Sequence, residues 1–301
     1  MLLCLELGGS RIQLREPNDH PLLAWPIRPF DAFLAPPDAP PEFMVEVTVV
    51  PHLPELAIGT LRFDAGTGYW KLFEAEAGCV IESTSPSLHQ PRARARVSED
   101  YRTVQAWVLP EIHLGQVGWN PMQLFNPILE VCLLSRLALD GGFLLHAAGL
   151  SILNVGYVFT GASGTGKSTL AEYFARRGAL VLSDERLIVR QQSAEFVQHG
   201  TPWVGSGNYA CNASAPIRQL YCISHGTGGH RISAMPPSAI VQAVLRQCFL
   251  PLWDRTALEA TLATVARLPE QVDCLALASL KSPDIVDFLL TRKRLQPIGA
   301  S

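Results

Sequence analysis

The sequence predicts an α/β domain built around a phosphate-binding loop, preceded by a small β-rich domain. Three observations carry this. Proline is concentrated early: 14 of 23 lie before residue 126, ten of those before residue 61, and such density excludes long helices there. From about residue 120, strand-like apolar runs are interleaved with helical ones, the order expected of an α/β fold. Between one such strand and one such helix stands Gly161-Ala162-Ser163-Gly164-Thr165-Gly166-Lys167-Ser168-Thr169, which fits the pattern G-x-x-x-x-G-K-[ST].

Composition narrows the function classes. The 301 residues carry 24 basic and 27 acidic side chains, a net charge of −3, which argues against general nucleic-acid binding. With 48% apolar and 17% charged residues the chain can bury a sizeable core, and disorder is excluded as its main state. Four of the 24 cations are lysines, so a lysine inside a glycine-rich loop stands out. The seven cysteines are odd in number and lack a Cys-x-x-Cys pair, which is no disulfide framework. The N-terminus has no basic flank and carries Glu6, unlike a secretory signal. Apolar stretches break well before the ~20 residues of a membrane span. The expectation is a soluble, cytoplasmic protein with neither a nucleic-acid nor a membrane partner.

Taken in order, residues 1–117 are expected to form the β-rich domain, with strands over Phe43–Val50, Leu56–Phe63 and Thr103–Leu109 and a loop over Phe30–Pro41. Arg92-Ala-Arg-Ala-Arg96 alternates like one strand face, solvated or a basic groove. The turn Gly118-Trp-Asn-Pro121 opens the second domain, 118–301. Pro127 starts a helix to Leu139, stopped by Gly141-Gly142. Strands follow over Phe143–Leu150 and Val155–Thr160, then the loop, a helix Lys167–Arg177 closed by Gly178, and a buried strand Ala179–Leu182. Helices are expected over Ser238–Leu250, Arg255–Arg267 and, after Ser282-Pro283-Asp284, up to Leu290. The basic run Thr291-Arg-Lys-Arg294 suits a solvated helix end.

The loop residues have specific chemical uses. Glycines let backbone N–H groups turn toward phosphate oxygens, and the helix behind them aims its positive end at the anion. Lys167 is a cation for the β and γ phosphates, and the Ser168 hydroxyl is a hard ligand for Mg²⁺. The implied cofactors are ATP and Mg²⁺. After the next strand, Asp184 and Glu185 place two carboxylates where ligands sit in an open sheet. One could hold the metal while the other accepts a proton from an attacking hydroxyl; alternatively both cap the strand end. His146, alone in an apolar run, reads first as a core residue.

The stretches Leu145-His146-Ala-Ala-Gly-Leu150, Gly156 to Leu170, and Gly178-Ala-Leu-Val-Leu-Ser-Asp184-Glu185 resemble the catalytic domain of the HPr kinase/phosphorylase family, with the same spacings. That resemblance spans about residues 143–190. It implies a P-loop kinase domain of the type shared with phosphoenolpyruvate carboxykinase. It aligns Lys167 with phosphate binding, Ser168 with Mg²⁺, Asp184 with the acid/base for a serine hydroxyl, and His146 with a catalytic-site histidine. Glu185 takes the position of a second aspartate. The expected reaction moves the γ-phosphoryl of ATP to a serine of a protein or peptide, and the family's hexamers make a homo-oligomer an expectation. Two other readings stay open: a small-molecule kinase acting on an amino acid or sugar, and an ATP-binding accessory protein of a biosynthetic complex. Lesser candidates are Gly200–Asn208 as a closing loop or an ordinary turn, and Arg246 near a transferring phosphoryl group. Cys222, His225 and His230 form a loose metal-like spacing without a fourth ligand.

Overall fold

The computed structural model describes residues 1–23, 28–66, 69–85 and 90–291. The chain is a mixed α/β protein with several sheets. It divides into two units: Met1–Leu139 with Pro251–Leu258, and Asp140–Leu250 with the chain from Glu259. The expected boundary between 117 and 118 therefore falls inside the first unit. The basic run after Thr291 lies outside the described residues.

In the first unit one sheet holds eight strands: β1 (Leu2–Leu7), β2 (Ser10–Arg15), β3 (Phe43–Val49), β4 (Leu61–Asp64), β5 (Trp70–Ala75), β6 (Gly78–Thr84), β7 (Pro91–Val97) and β8 (Thr103–Val108). Their order is β1-β2-β3-β8-β7-β6-β5-β4. Strands β3 and β8 match expectation closely. The strand expected over Leu56–Phe63 shrinks to β4, whose ladder with β5 starts at Leu61, with bonds between Glu74 and Gly59 and Thr60 just ahead of it. The expected loop from Phe30 starts as a short 3-10 turn, Arg28–Phe33, whose Phe30 ring stacks on Phe125 at 4.5 Å. In β7, Ala93 and Ala95 are buried while Arg92, Arg94 and Arg96 point away from them; Arg94 donates to Glu82 at 2.7 Å and to the Pro54 carbonyl at 2.8 Å. The hairpin β9 (Glu111–His113) and β10 (Gln116–Gly118) precedes α1 (Met122–Phe125) and α2 (Ile128–Leu139). The segment Pro251–Leu258 belongs to this unit for local reasons. The Trp253 indole N–H donates to Ser135 on α2 at 2.8 Å, its ring meets Phe63 and Trp70 edge-on, and the Tyr101 hydroxyl donates to Asp254 at 2.8 Å.

The second unit runs β11 (Gly142–Ile152), β12 (Val155–Thr160), α3 (Lys167–Ala175), β13 (Leu180–Ser183), β14 (Arg186–Gln192), β15 (Glu195–His199), β16 (Ser214–His225), β17 (Arg231–Ala234), α4 (Pro237–Leu245), β18 (Cys248–Phe249), α5 (Arg255–Gln271), β19 (Asp273–Ser279) and α6 (Ile285–Thr291). Two long strands each serve two sheets. The first half of β11 pairs with β14 and β18, the second half with β12 and β13. The start of β16 pairs with β15, and the remainder lies parallel to β12 and β19. β11 is apolar at nearly every position because both its faces are covered. Phe143, Leu145 and Ala147 join Val158, Leu182 and Leu220 in one core, closed by Ile240 and Val244 of α4 and by Val265 and Leu268 of α5. Ala148, Leu150, Phe159 and Tyr221 form the other, under Leu170 and Phe174 of α3 and Ile285 and Leu289 of α6.

Two helices differ from expectation. The one expected over Ser238–Leu250 stops at Leu245. Cys248 and Phe249 instead pair with Leu145 and Leu144, and Pro251 disfavours helix just beyond. α5 runs past Arg267 to Gln271 despite Pro269, and buries Leu268. Among the described residues no helix is long and apolar enough to cross a membrane.

His199, at the end of β15, has a pKa pushed down to about 4 by burial, with the Arg190 charge adding to the effect. The fold holds this imidazole neutral. Its contribution to stability is therefore complete above the unfolded value of about 6.5 and is lost as pH falls toward 4. Urea midpoints of the protein should drop across that window, reflecting a loss on the order of 3 kcal/mol in unfolding free energy, and a His199→Gln variant should lose that part of the slope. Parallel midpoint curves for the two proteins between pH 7 and 4 would remove His199 as the cause.

Candidate functional site

β12 ends at Thr160, and the glycine-rich loop turns at once into α3. Gly164 and Gly166 take left-handed backbone angles, φ +81° and +101°, which suit glycine. Both have open space where a Cβ would stand, so the loop interior is free on that side. A Cβ on Gly161 would sit 2.7 Å from the Ile223 carbonyl. Lys167 opens α3 and is almost fully buried. Its ammonium folds back into the loop and donates to the carbonyls of Gly161 at 2.8 Å and Ala162 at 3.2 Å. Thr165 Oγ1 donates to the same Ala162 carbonyl at 2.7 Å. Burial lowers the Lys167 pKa, and the charge of Glu185 works in the opposite direction. The carboxylate expected from the next strand is thus close enough to be felt by the loop lysine. Ser168 and Thr169 are half-buried in the first turn of α3.

The two adjacent carboxylates do different things. Asp184 is wholly buried. Its Oδ1 accepts the Gly205 N–H at 3.0 Å and the Tyr209 N–H at 3.4 Å, and its Oδ2 accepts the Gly207 N–H at 2.7 Å. The Glu185 side chain is 36% exposed. His146 lies in β11 directly opposite Arg186 of β14. Its Nδ1 is 3.0 Å from the Glu185 carbonyl oxygen and 3.3 Å from the Glu185 carboxylate. Both are acceptors, so Nδ1 carries the hydrogen and Nε2 is left as an acceptor. The His146 N–H donates to the Gln247 carbonyl at 2.8 Å, and the Thr160 hydroxyl donates to the His146 carbonyl at 3.1 Å. The last residue of β12 is thereby bonded to His146 immediately ahead of the loop.

Glu185 and His146 are therefore in contact, and Asp184 binds the amides of the Gly205–Tyr209 segment. The centre of that segment is a turn, closed by the Asn208 N–H on the Gly205 carbonyl at 3.1 Å, and it is tied to its neighbours. The Thr201 hydroxyl donates to the Arg186 carbonyl at 2.6 Å, Ala210 bridges to Ser183, and Asp184 holds the centre. The two glycines are steric requirements. A Cβ on Gly205 would lie 2.9 Å from Asp184 Oδ2 and 3.0 Å from Glu185 Oε2, and one on Gly207 would lie 2.7 Å from Asp184 Oδ2. Sequence reasoning missed Arg186, whose guanidinium carbon sits 4.7 Å from the Phe249 ring centre and 5.6 Å from that of Trp203. Its only sequence signal was its place beside Glu185. Arg246 lies one residue before Gln247, whose carbonyl holds His146, so its backbone is adjacent to the site. Of the loose metal-like set, Cys222 and His225 lie in β16, and His230 Nε2 faces Asp284 at 3.3 Å.

Neither a protein-family model nor a curated protein matches the chain. Among solved structures it is similar to the Hpr(Ser) kinase/phosphatase from Coxiella burnetii, with 14% identity over 50% of this chain and 96% of that chain, at a TM-score of 0.31. The chain is a weak structural neighbour of that protein.

Gly207→Ala should cost about 1–3 kcal/mol in chemical denaturation, because the added methyl must displace the Asp184 carboxylate or the backbone that binds it. Gly164→Ala, which meets no atom, should cost less than Gly207→Ala despite its left-handed angle. The reverse order would show that the Asp184 contacts do not constrain the segment.

Proposed function

We propose that this chain is an ATP-dependent kinase that moves the γ-phosphoryl group to a hydroxyl, a serine of a protein or peptide. The observation that carries the reading is a Gly-x-x-x-x-Gly-Lys-Ser loop opening α3 directly after Thr160, whose hydroxyl is bonded to His146, which in turn contacts the Glu185 carboxylate. Support for serine as the acceptor comes from the sequence resemblance across residues 143–190. A reducing compartment and a homo-oligomer belong to the same proposal; the seven free cysteines agree with the first.

The donor set suits the expected ligands. Backbone N–H groups from Gly161 to Thr169 would receive the phosphates at the positive end of α3. Lys167 would exchange its two carbonyl partners for phosphate oxygens. The Ser168 hydroxyl and one carboxylate suit Mg²⁺, which is bound by one or two carboxylates plus phosphates rather than by a protein cage. Mg²⁺ would supply charge neutralisation on the nucleotide phosphates. As the acceptor oxygen bonds to phosphorus and the bond to the ADP oxygen breaks, the hydroxyl proton passes to the carboxylate pair. Asp184 already accepts three amide hydrogen bonds, one on Oδ2 and two on Oδ1. Glu185 is exposed, and the Nδ1–H of His146 orients its carboxylate.

One observation favours a second reading, an ATP-binding accessory protein. Both Asp184 oxygens are already engaged, so this half of the pair serves the fold. The two readings separate with γ-labelled ATP, Mg²⁺, purified protein and desalted host extract. A kinase puts label into an acid-stable polypeptide band. Glu185→Gln lowers that label by about 10²- to 10⁴-fold with nucleotide binding retained. Lys167→Ala weakens nucleotide binding itself, by about 10- to 100-fold. Nucleotide binding with no labelled product, in the protein as in Glu185→Gln, would overturn the kinase reading and leave the accessory role. Label in small molecules alone would make the acceptor a metabolite.

A further inference from the structure

A cavity in the second unit lies at the opposite end of β12 from the glycine-rich loop. It measures about 580 Å³ and is lined by Asn154, Glu195, Ile217, Arg218, Gln271 and Asp273 among others. That volume falls in the range of small-molecule sites, roughly 300–1,000 Å³. Asn154 precedes β12 and the loop follows its last residue, so a six-residue strand of about 20 Å separates the two places.

Arg218 gives the cavity its chemistry. The ladder between β12 and β16 slips there: Gly156 faces Ile217, but the next residue, Tyr157, faces Gln219. Arg218 is the extra residue of a β-bulge, a device that turns a side chain out of the regular ladder. The bulge is fixed by close approach, since a Cβ on Gly156 would lie 2.6 Å from the Pro216 carbonyl. The Arg218 Nε is sealed from solvent and meets no acceptor. Among the described residues no carboxylate lies within ion-pair distance of its guanidinium, although Glu195 and Asp273 line the same cavity. Asp273 is already used, accepting from Gln219 Nε2 at 2.7 Å. A sealed guanidinium N–H without an acceptor is costly, and the group's planar fork matches a carboxylate.

We propose that this cavity binds a free amino acid, with the ligand's α-carboxylate on Arg218 and its ammonium toward Glu195. The lining charge decides for a zwitterion. One cation and two carboxylates leave the wall at −1, which repels a phosphate dianion or a dicarboxylate but accepts a molecule carrying both signs. The side-chain amides of Asn154 and Gln271 add donors and acceptors for the remainder of the ligand. The proposal does not depend on phosphoryl transfer.

The test is isothermal titration of the full chain with each proteinogenic amino acid, and with succinate and inorganic phosphate as anions lacking an ammonium group. At least one amino acid should bind saturably and more tightly than both anions. Arg218→Gln and Glu195→Gln should each weaken it by about 10- to 100-fold, with nucleotide binding unchanged. Glu195 is exposed, so its variant decides the matter if Arg218→Gln does not fold. The proposal fails if no amino acid binds, if succinate or phosphate binds as tightly as the best amino acid, or if binding survives both substitutions.

Discussion

The Asp184 carboxylate is the interaction on which the rest of the candidate site depends. It is wholly buried at the end of β13, and an unpaired charge there would cost several kcal/mol. Three backbone N–H groups, from Gly205, Gly207 and Tyr209, offset that cost. Hydrogen bonds to a charged group contribute about 1.5–3 kcal/mol each. For three amides to converge on one carboxylate the backbone must come within contact distance, and only glycine at 205 and 207 permits it. The segment is thereby fixed against the strand end, with Trp203 and Arg186 beside it. Asp184 and Glu185 form the bend between β13 and β14, and the Glu185 carboxylate lies 3.3 Å from His146 Nδ1.

The sheets supply the frame for this contact. β11 carries His146 at the point where its partner strands change, from β14 and β18 to β12 and β13. The same strand therefore reaches Glu185, Gln247 and Thr160 by backbone or side-chain hydrogen bonds. β16 changes partners too, and its bulge at Arg218 falls where it leaves β15 for β12 and β19. Both strands that serve two sheets thus carry a polar side chain, His146 or Arg218, at the change-over.

Much of this was legible in the sequence. The loop motif, β12 and the start of α3 rest on local signals: glycines at fixed spacing, an apolar run before them, a helical run after. β3, β8 and α2 were readable for the same reason. The carboxylate pair was visible as a pair, but its division of labour was not. Which of two adjacent acids turns inward is set by amides more than twenty residues later in the chain. The Gly200–Asn208 stretch was noticed for its glycines, yet their partner lay upstream. Cys248 and Phe249 looked helical because pairing with β11 is a tertiary event. The division of the chain was misplaced because the helix from Pro127 and the turn around Trp253 bury their side chains in the first unit. The Arg218 bulge depends on register, which no single-strand pattern reveals.

The most direct measurement is residue-resolved amide hydrogen exchange of the protein and of Asp184→Ala. The account predicts strong protection at the amides of Gly205, Gly207 and Tyr209. In the variant that protection is lost at all three, while the amides of β11 and β12 stay protected. Rapid exchange of the three amides in the unsubstituted protein, or equal protection in the variant, would contradict the claim that this carboxylate holds the segment in place.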